Sequence, residues 1–363
     1  PLLREALEVQ RETLGNRHPD TLNTITSLGA LLRKKGDHAA AEPLYLEVLT
    51  AQRETLGDRH PATLISIDNL GTLLQGKGDL AAAEPLYLEA LEGRRETLGS
   101  RHPSTLTSIC NLGGLLLDKG DLASAEPLLR EVLEGRREIL GNRHPHTLAS
   151  ICNLGVLEHR KGHHAAAERL YREALAAQRE TPGMRHPDTL SSIGNLGTLL
   201  QDKGDFAAAE PLLREALEGR CETLGNRHPH TLISISSLGN LLLTKGDLAA
   251  AEPLLREALE VHRETLGNRH PSTLIAINKL ASLLREKGDL AAAKLLYLEV
   301  VKVQRQTLGI SHPDTHVSNN NLALLRQQQR NLDHLAARAT HLQMKDDAAS
   351  YHLAAFLAEF DLV

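Results

Sequence analysis

The stretch HPATLISIDNLGTLLQGKGDLAAAEPLYLEALEGRRETLG, residues 60–99, writes out two helices and the turn between them. Pro61 suits a first helical turn, because its missing N–H would have no intrahelical partner there and its φ is already helical. Leu64, Ile67, Leu70, Gly71 and Leu74 follow at spacings of three and four, which makes one buried stripe on a helix. Gly78 can take the left-handed conformation that ends a helix, and Asp79 can cap the next one. The second helix carries Ala82, Ala83, Leu86, Tyr87, Ala90, Leu91 and Thr97 before Gly99 closes it. Small alanines are expected where the two antiparallel helices approach. Pro85, early in the second helix, deletes one backbone hydrogen bond and predicts a mild bend.

The same unit recurs along the chain. Eight His-Pro dipeptides begin at His18, His60, His102, His144, His186, His228, His270 and His312, each 42 residues from the last. A unit of this size cannot bury its own apolar face, so stability has to come from stacking on its neighbours. The period predicts an all-α solenoid, one elongated domain without a linker. Residues 1–15 read as the remnant second helix of a truncated repeat, 19–309 as seven full repeats and 313–345 as a degenerate eighth with Arg330 and Asn331 at its turn. Residues 349–363 read as a capping helix with Leu353, Phe356, Leu357 and Phe360 on one face. Pro1 is equivalent to Pro43 and Pro85, so the chain starts in mid-repeat and reads as a fragment. Pro182 replaces the Leu seen at Leu56 and Leu98, which predicts an early end to the second helix of the fourth repeat.

Composition agrees with a helical array: 41% of the 363 residues are hydrophobic, only 2% are aromatic and none is Trp. The net charge of −5 argues against nucleic acid as the main partner. No apolar run reaches the length of a membrane span, and three cysteines, Cys110, Cys152 and Cys221, point to a reduced, cytoplasmic setting. Cys110 and Cys152 hold equivalent positions on successive units, too far apart for a disulfide.

These residues resemble the tetratricopeptide-repeat family, and in particular the 42-residue repeats of kinesin light chains, over residues 1 to about 345. The resemblance is carried by Asn69–Leu70–Gly71, Lys77–Gly78–Asp79, Ala83–Glu84–Pro85–Leu86 and the Leu98-Gly-x-x-His-Pro run ending at Pro103. It implies a right-handed α-α superhelix of antiparallel helix pairs whose first helices line a concave groove for peptides or protein segments. A cargo-adaptor role is one candidate that follows. A kinesin light chain also has an N-terminal heptad segment, which residues 1–363 do not contain.

Setting aside the buried stripe, the first helix of the quoted unit presents Ile65, Asp68, Asn69, Thr72, Gln75 and Gly76 on an adjacent face. The register of Asn69 repeats as Asn111, Asn153 and Asn195 and returns at Asn321. An Asn amide both donates and accepts, so a row of them can grip an extended peptide backbone. The alternative is that each Asn bonds to its own helix or the neighbouring unit. The row changes at Ser27, Ser237 and Lys279; Asn278 lies beside the last, and Lys279 with Arg285 would suit a carboxylate. A second row, Arg53, Arg95, Arg137 and Arg179 with Arg263 and Arg305, is expected to be structural, favouring the helix dipole and pairing with acids such as Glu54 and Glu96.

The His-Pro histidines are spread one per unit, which opposes a metal site, and the His159, His163, His164 group lacks a recognised ligand spacing. No nucleophile elbow, P-loop or zinc-protease motif occurs. The sequence therefore predicts a noncatalytic interaction scaffold without cofactors, whose partners are proteins or peptides rather than nucleic acid or membrane. A sensor region of a larger signalling or nucleotide-switch protein and a self-associating structural spacer are the competing readings.

Overall fold

The computed structural model describes residues 2–180, 183–310, 314–335 and 337. Every regular element among them is a helix. The first helices of the repeats are α2 (Pro19–Lys34), α4 (Pro61–Gly76), α6 (Pro103–Lys119), α8 (Pro145–Arg160), α10 (Pro187–Asp202), α12 (Pro229–Thr244) and α14 (Pro271–Glu286). The second helices are α1 (Leu2–Thr13), α3 (His38–Leu56), α5 (Leu80–Leu98), α7 (Leu122–Leu140), α9 (His164–Glu180), α11 (Phe206–Leu224), α13 (Leu248–Leu266) and α15 (Leu290–Thr307). Residues 314–335 form a further helix. The chain divides into two units, Pro1–Thr273 and Leu274–Val363, the division falling within α14. In the first unit consecutive helices from α1 to α13 pack on one another, as an α-α superhelix requires.

The start of each first helix holds a device that propensity alone does not suggest. His102 adopts an extended conformation and its Nδ1 accepts the backbone N–H of Ser104 at 3.1 Å, so the histidine is the N-cap. His18, His60, His144, His186, His228 and His270 do the same. Pro103 then occupies the first helical turn, as the sequence predicts. At the other end Gly78 has φ of +82°, and Asp79 caps α5 by accepting from Ala82 N–H at 3.1 Å.

The two stripes meet in a continuous core. Leu64, Ile67 and Leu70 of α4 are buried against Ala83, Tyr87, Ala90 and Leu91 of α5. Each fully buried Leu or Ile contributes about 1.5–3 kcal/mol relative to exposure. Close approach of the helices rests on glycine as much as on alanine. A Cβ on Gly71 would lie 2.9 Å from Tyr87 Cε1, and one on Gly93 would lie 2.7 Å from Leu64 Cδ2. Four tyrosines, Tyr45, Tyr87, Tyr171 and Tyr297, are among the largest fully buried side chains. The prolines at 43, 85, 127, 211 and 253 all lie inside uninterrupted helices.

Within the first unit the chain also returns on itself. His270 Nε2 lies 3.4 Å from the carbonyl of Gly76, a residue 194 positions earlier. His38, Lys35, Lys77 and Glu264 join His270 around a 450 Å³ cavity there. Pro182, where an early helix end is expected, lies outside the described residues, and α9 is described to Glu180. The expected capping helix at 349–363, with Leu353, Phe356, Leu357 and Phe360, also lies outside them.

Candidate functional site

The first helices present the predicted row of polar side chains at intermediate depth. Asn69, Asn111, Asn153, Asn195 and Asn321 are all half-buried, as are Thr72 and Gln75. Two of the asparagines look toward the preceding repeat. Asn153 Nδ2 donates to Cys110 Sγ at 3.4 Å, and Asn111 faces the Asp68 carboxylate, whose charge it favours. Thr72 Oγ1 donates to the Asp68 carbonyl at 2.8 Å and receives the Tyr87 hydroxyl at 3.1 Å. Gln75 Oε1, at 2.9 Å, shares that single hydroxyl hydrogen with Thr72, and its Nε2 donates to Asp118 of the next repeat at 2.7 Å. Ile65 is exposed on this face. The row is thus a half-sunken polar seam linking consecutive first helices.

Asp68 lies deeper than its neighbours in this seam. It is only 8% exposed and forms an ion pair with Arg94, which also donates to Ser108 Oγ of the next repeat. Burial raises the Asp68 carboxyl above the usual range, opposed first by the charge of Arg94. Arg94 belongs to a buried polar row that the sequence reading missed: Gln52, Arg94, Arg136, Gln178, Arg220, His262 and Gln304, all within the second helices. Arg136 reaches Ser150 Oγ at 2.8 Å and the His146 carbonyl at 3.0 Å, and Arg220 reaches Ser234 Oγ at 2.7 Å and the His230 carbonyl at 3.0 Å. Desolvation lowers the Arg220 guanidinium from its ordinary value. The three arginines each bridge two successive first helices, Arg94 from Asp68 to Ser108, Arg136 from Cys110 to Ser150 and Arg220 from Ser191 to Ser234. The signal was present, since Arg94 follows Ala90 by four and Leu91 by three, on the buried stripe.

This geometry is that of a known repeat. The tetratricopeptide repeat model matches residues 1–54, 23–96, 64–138, 104–180, 167–222, 188–264 and 230–306. The chain belongs to the tetratricopeptide repeat family. Among solved structures, the tetratricopeptide-like repeats of a Podosopora anserina protein described as a kinesin light chain are 28% identical over 57% of this chain and 98% of that one, with a TM-score of 0.46. BtubC (BKLC) of P. vanneervenii is 20% identical over 65% of this chain and 94% of that one, with a TM-score of 0.49. A Rap protein complexed with competence and sporulation factor is 14% identical over 80% of this chain and 85% of that one, with a TM-score of 0.52, a likeness of fold. No curated protein matches the chain significantly. Tetratricopeptide repeats are interaction scaffolds, and no catalytic family is indicated.

Outside the seam, the tetratricopeptide units are joined by charge pairs at fixed offsets. Arg53, Arg95, Arg137 and Arg179 pair with Glu89, Glu131, Glu173 and Glu215, in each case 36 residues on. The expected partners Glu54 and Glu96 instead receive Arg17 and Arg59, because the arginine of the loop lies nearer to them than the arginine of their own helix. A third row joins Lys77 to Glu42, Lys119 to Glu84, Lys161 to Glu126 and Lys203 to Glu168. Arg305 donates to Asn319 at 3.0 Å.

In the second unit, Asn278 donates to Ser318 at 3.1 Å and Lys279 is half-buried, desolvation holding its ammonium down at about 8. Arg285 pairs with Glu286 at 2.9 Å. His159 and His163 each sit against a carboxylate, Asp202 at 2.8 Å and Glu158 at 2.7 Å, and among the described residues no group of side chains is arranged to hold a metal. The three cysteines are free thiols, and burial pushes Cys152 up to about 11. No described helix is long and apolar enough to cross a membrane.

Proposed function

We propose that the seam of the first helices is the floor of a groove that holds an extended segment of a partner protein, without catalysis. The observation that carries this reading is the row Asn69, Asn111, Asn153 and Asn195, half-buried at one register on the first helices of four successive repeats. An amide has two donor hydrogens and an accepting oxygen, and the bond from Asn153 to Cys110 uses one donor, so the oxygen and a second donor remain for a ligand backbone. The mixed surface charge and net −5 favour protein over nucleic acid. The Rap protein, which shares the fold, is complexed with competence and sporulation factor, an instance of the architecture engaging a partner.

The test is an Asn111→Ser, Asn153→Ser, Asn195→Ser variant, since Ser27 and Ser237 show that the array accepts Ser at this register. Peptides are first selected on the wild-type protein from a random display library. Loss of three hydrogen bonds worth about 1 kcal/mol each weakens them by roughly 100-fold. Melting temperatures serve as the folding control. Unchanged affinity of the selected peptides for the variant sinks the groove reading.

A further inference from the structure

Arg136 is a buried cation for which the described residues supply no ion-pair partner. It is 6% exposed, and its hydrogen bonds all leave from Nη1 toward neutral acceptors: Ser150 Oγ, the His146 carbonyl and Cys110 Sγ, the last at 3.8 Å. One repeat earlier, Arg94 at the same register is met by the Asp68 carboxylate. Cys110 stands where Asp68 would recur, and among the described residues Arg136 forms no ion pair. A guanidinium taken out of water without an anion is costly, so the position favours any carboxylate that can reach it.

There is a place for one. Arg136 borders a 160 Å³ cavity between α6, α7 and the start of α8, with Leu106, Ile139 and Leu140 as apolar wall and Ser104 and Thr107 at the side. Cavities of roughly 150 Å³ take up ligands the size of benzene. Thr107 donates its hydroxyl to the Pro103 carbonyl at 3.0 Å. Ser191, at the same register two repeats on, donates likewise to the Pro187 carbonyl at 2.9 Å and in addition accepts from Arg220 Nη2 at 3.1 Å. The Nη2 edge is therefore occupied by a hydroxyl in the later repeat and offered to the cavity in this one.

We propose that this cavity is a subsite for an acidic side chain, Glu or Asp, of the segment bound in the groove. Its carboxylate pairs with the Nη2 edge of Arg136, and an adjoining apolar side chain rests on Leu106, Ile139 and Leu140. Cys110 bridges Arg136 and Asn153, so the subsite adjoins the asparagine row directly. The inference rests on the groove reading and adds the chemistry of one ligand residue to it. His146, whose pKa is lowered by burial and next by the charge of Arg136, provides a reporter: a carboxylate bound beside Arg136 raises it.

The experiment titrates the full chain with N-acetyl-Leu-Glu-Leu-amide, its Gln counterpart and inorganic phosphate. Binding is followed by calorimetry and by NMR of ¹³C-labelled histidine, with the His146 signal assigned through His146→Ser. Arg136→Gln is the diagnostic variant, and Gln52, Gln178 and Gln304 show that the array folds with Gln at this register. The glutamyl peptide is expected to bind with Kd of about 1 mM or below, tenfold or more tighter than the glutaminyl one, and to raise the His146 pKa. Arg136→Gln brings the ratio to within twofold and abolishes the His146 shift. Equal binding of both peptides, no binding of either, a preference that survives in Arg136→Gln, or phosphate displacing the peptide at equal concentration each overturns the proposal. The asparagine variant separates the two readings, because failure of the groove appears as unchanged affinity for the selected peptides, whereas failure of the subsite appears in the Glu-to-Gln ratio.

Discussion

At the level of single residues, the histidine of each His-Pro pair acts through one nitrogen. Its Nδ1 lone pair takes the place of the hydroxyl or carboxylate oxygen that normally caps a helix. His102→Ala removes the acceptor for Ser104 N–H and is expected to cost about 1 kcal/mol, whereas His102→Asn retains an acceptor and most of the stability. Urea denaturation of the two variants measures the difference, and equal losses would show that the ring only packs. The proline of the pair was legible because its fixed φ has one natural place in a helix. The histidine was not, because its usual preferences do not mark it as a cap and only its recurrence could have done so.

Among the elements, the seam and the buried row beneath it depend on how second helices thread between first ones. Arg94→Gln leaves the Asp68 carboxylate buried beside no cation, and the expected loss is about 3 kcal/mol. Adding Asp68→Cys reproduces the Cys152 and Gln178 combination of a later repeat and restores most of it. A thermodynamic cycle of the two changes checks this, and simple additivity of the two losses would contradict it. Helix boundaries were legible in the sequence to the residue at Pro61 and Leu98, because proline, glycine and aspartate each have one role at those places. The interior of α5 was read less well. Gly93, Arg94 and Arg95 stand in a row, and only the phase set by Ala90 and Leu91 distinguishes the inward arginine from the one that pairs with Glu131. The asparagine register was found from its period, but its bonds to the preceding repeat depend on what stands at Asp68 and Cys110.

For the first unit taken whole, the contact of His270 with Gly76 depends on a rise and rotation summed over several repeats, which no local pattern encodes. Burial lowers the pKa of both His270 and His38, and each charge near His38 except Asp37 lowers it further. Both rings therefore favour the neutral form in the fold. Above about pH 6.5 they are neutral whether the contact is closed or open, and it has its full strength. As the pH falls below that value the open state takes up protons first, and the contact weakens until the lowered native values are passed. The protection factors of Gly76 and Lys77, taken relative to the base-catalysed intrinsic exchange rate at each pH, are expected to fall as the pH drops below about 6.5, and His38→Gln with His270→Gln to flatten the profile. Identical pH dependence in the variant would remove the histidines from the account. The fixed offsets of the charge pairs carry a different consequence. Because Arg53, Arg95, Arg137 and Arg179 each find a glutamate 36 residues on, excising residues 103–144 would present Arg95 with Glu173 in the place of Glu131. Those four joints share one charge register, so the gene can lengthen or shorten that stretch by a whole period and keep its ion pairs.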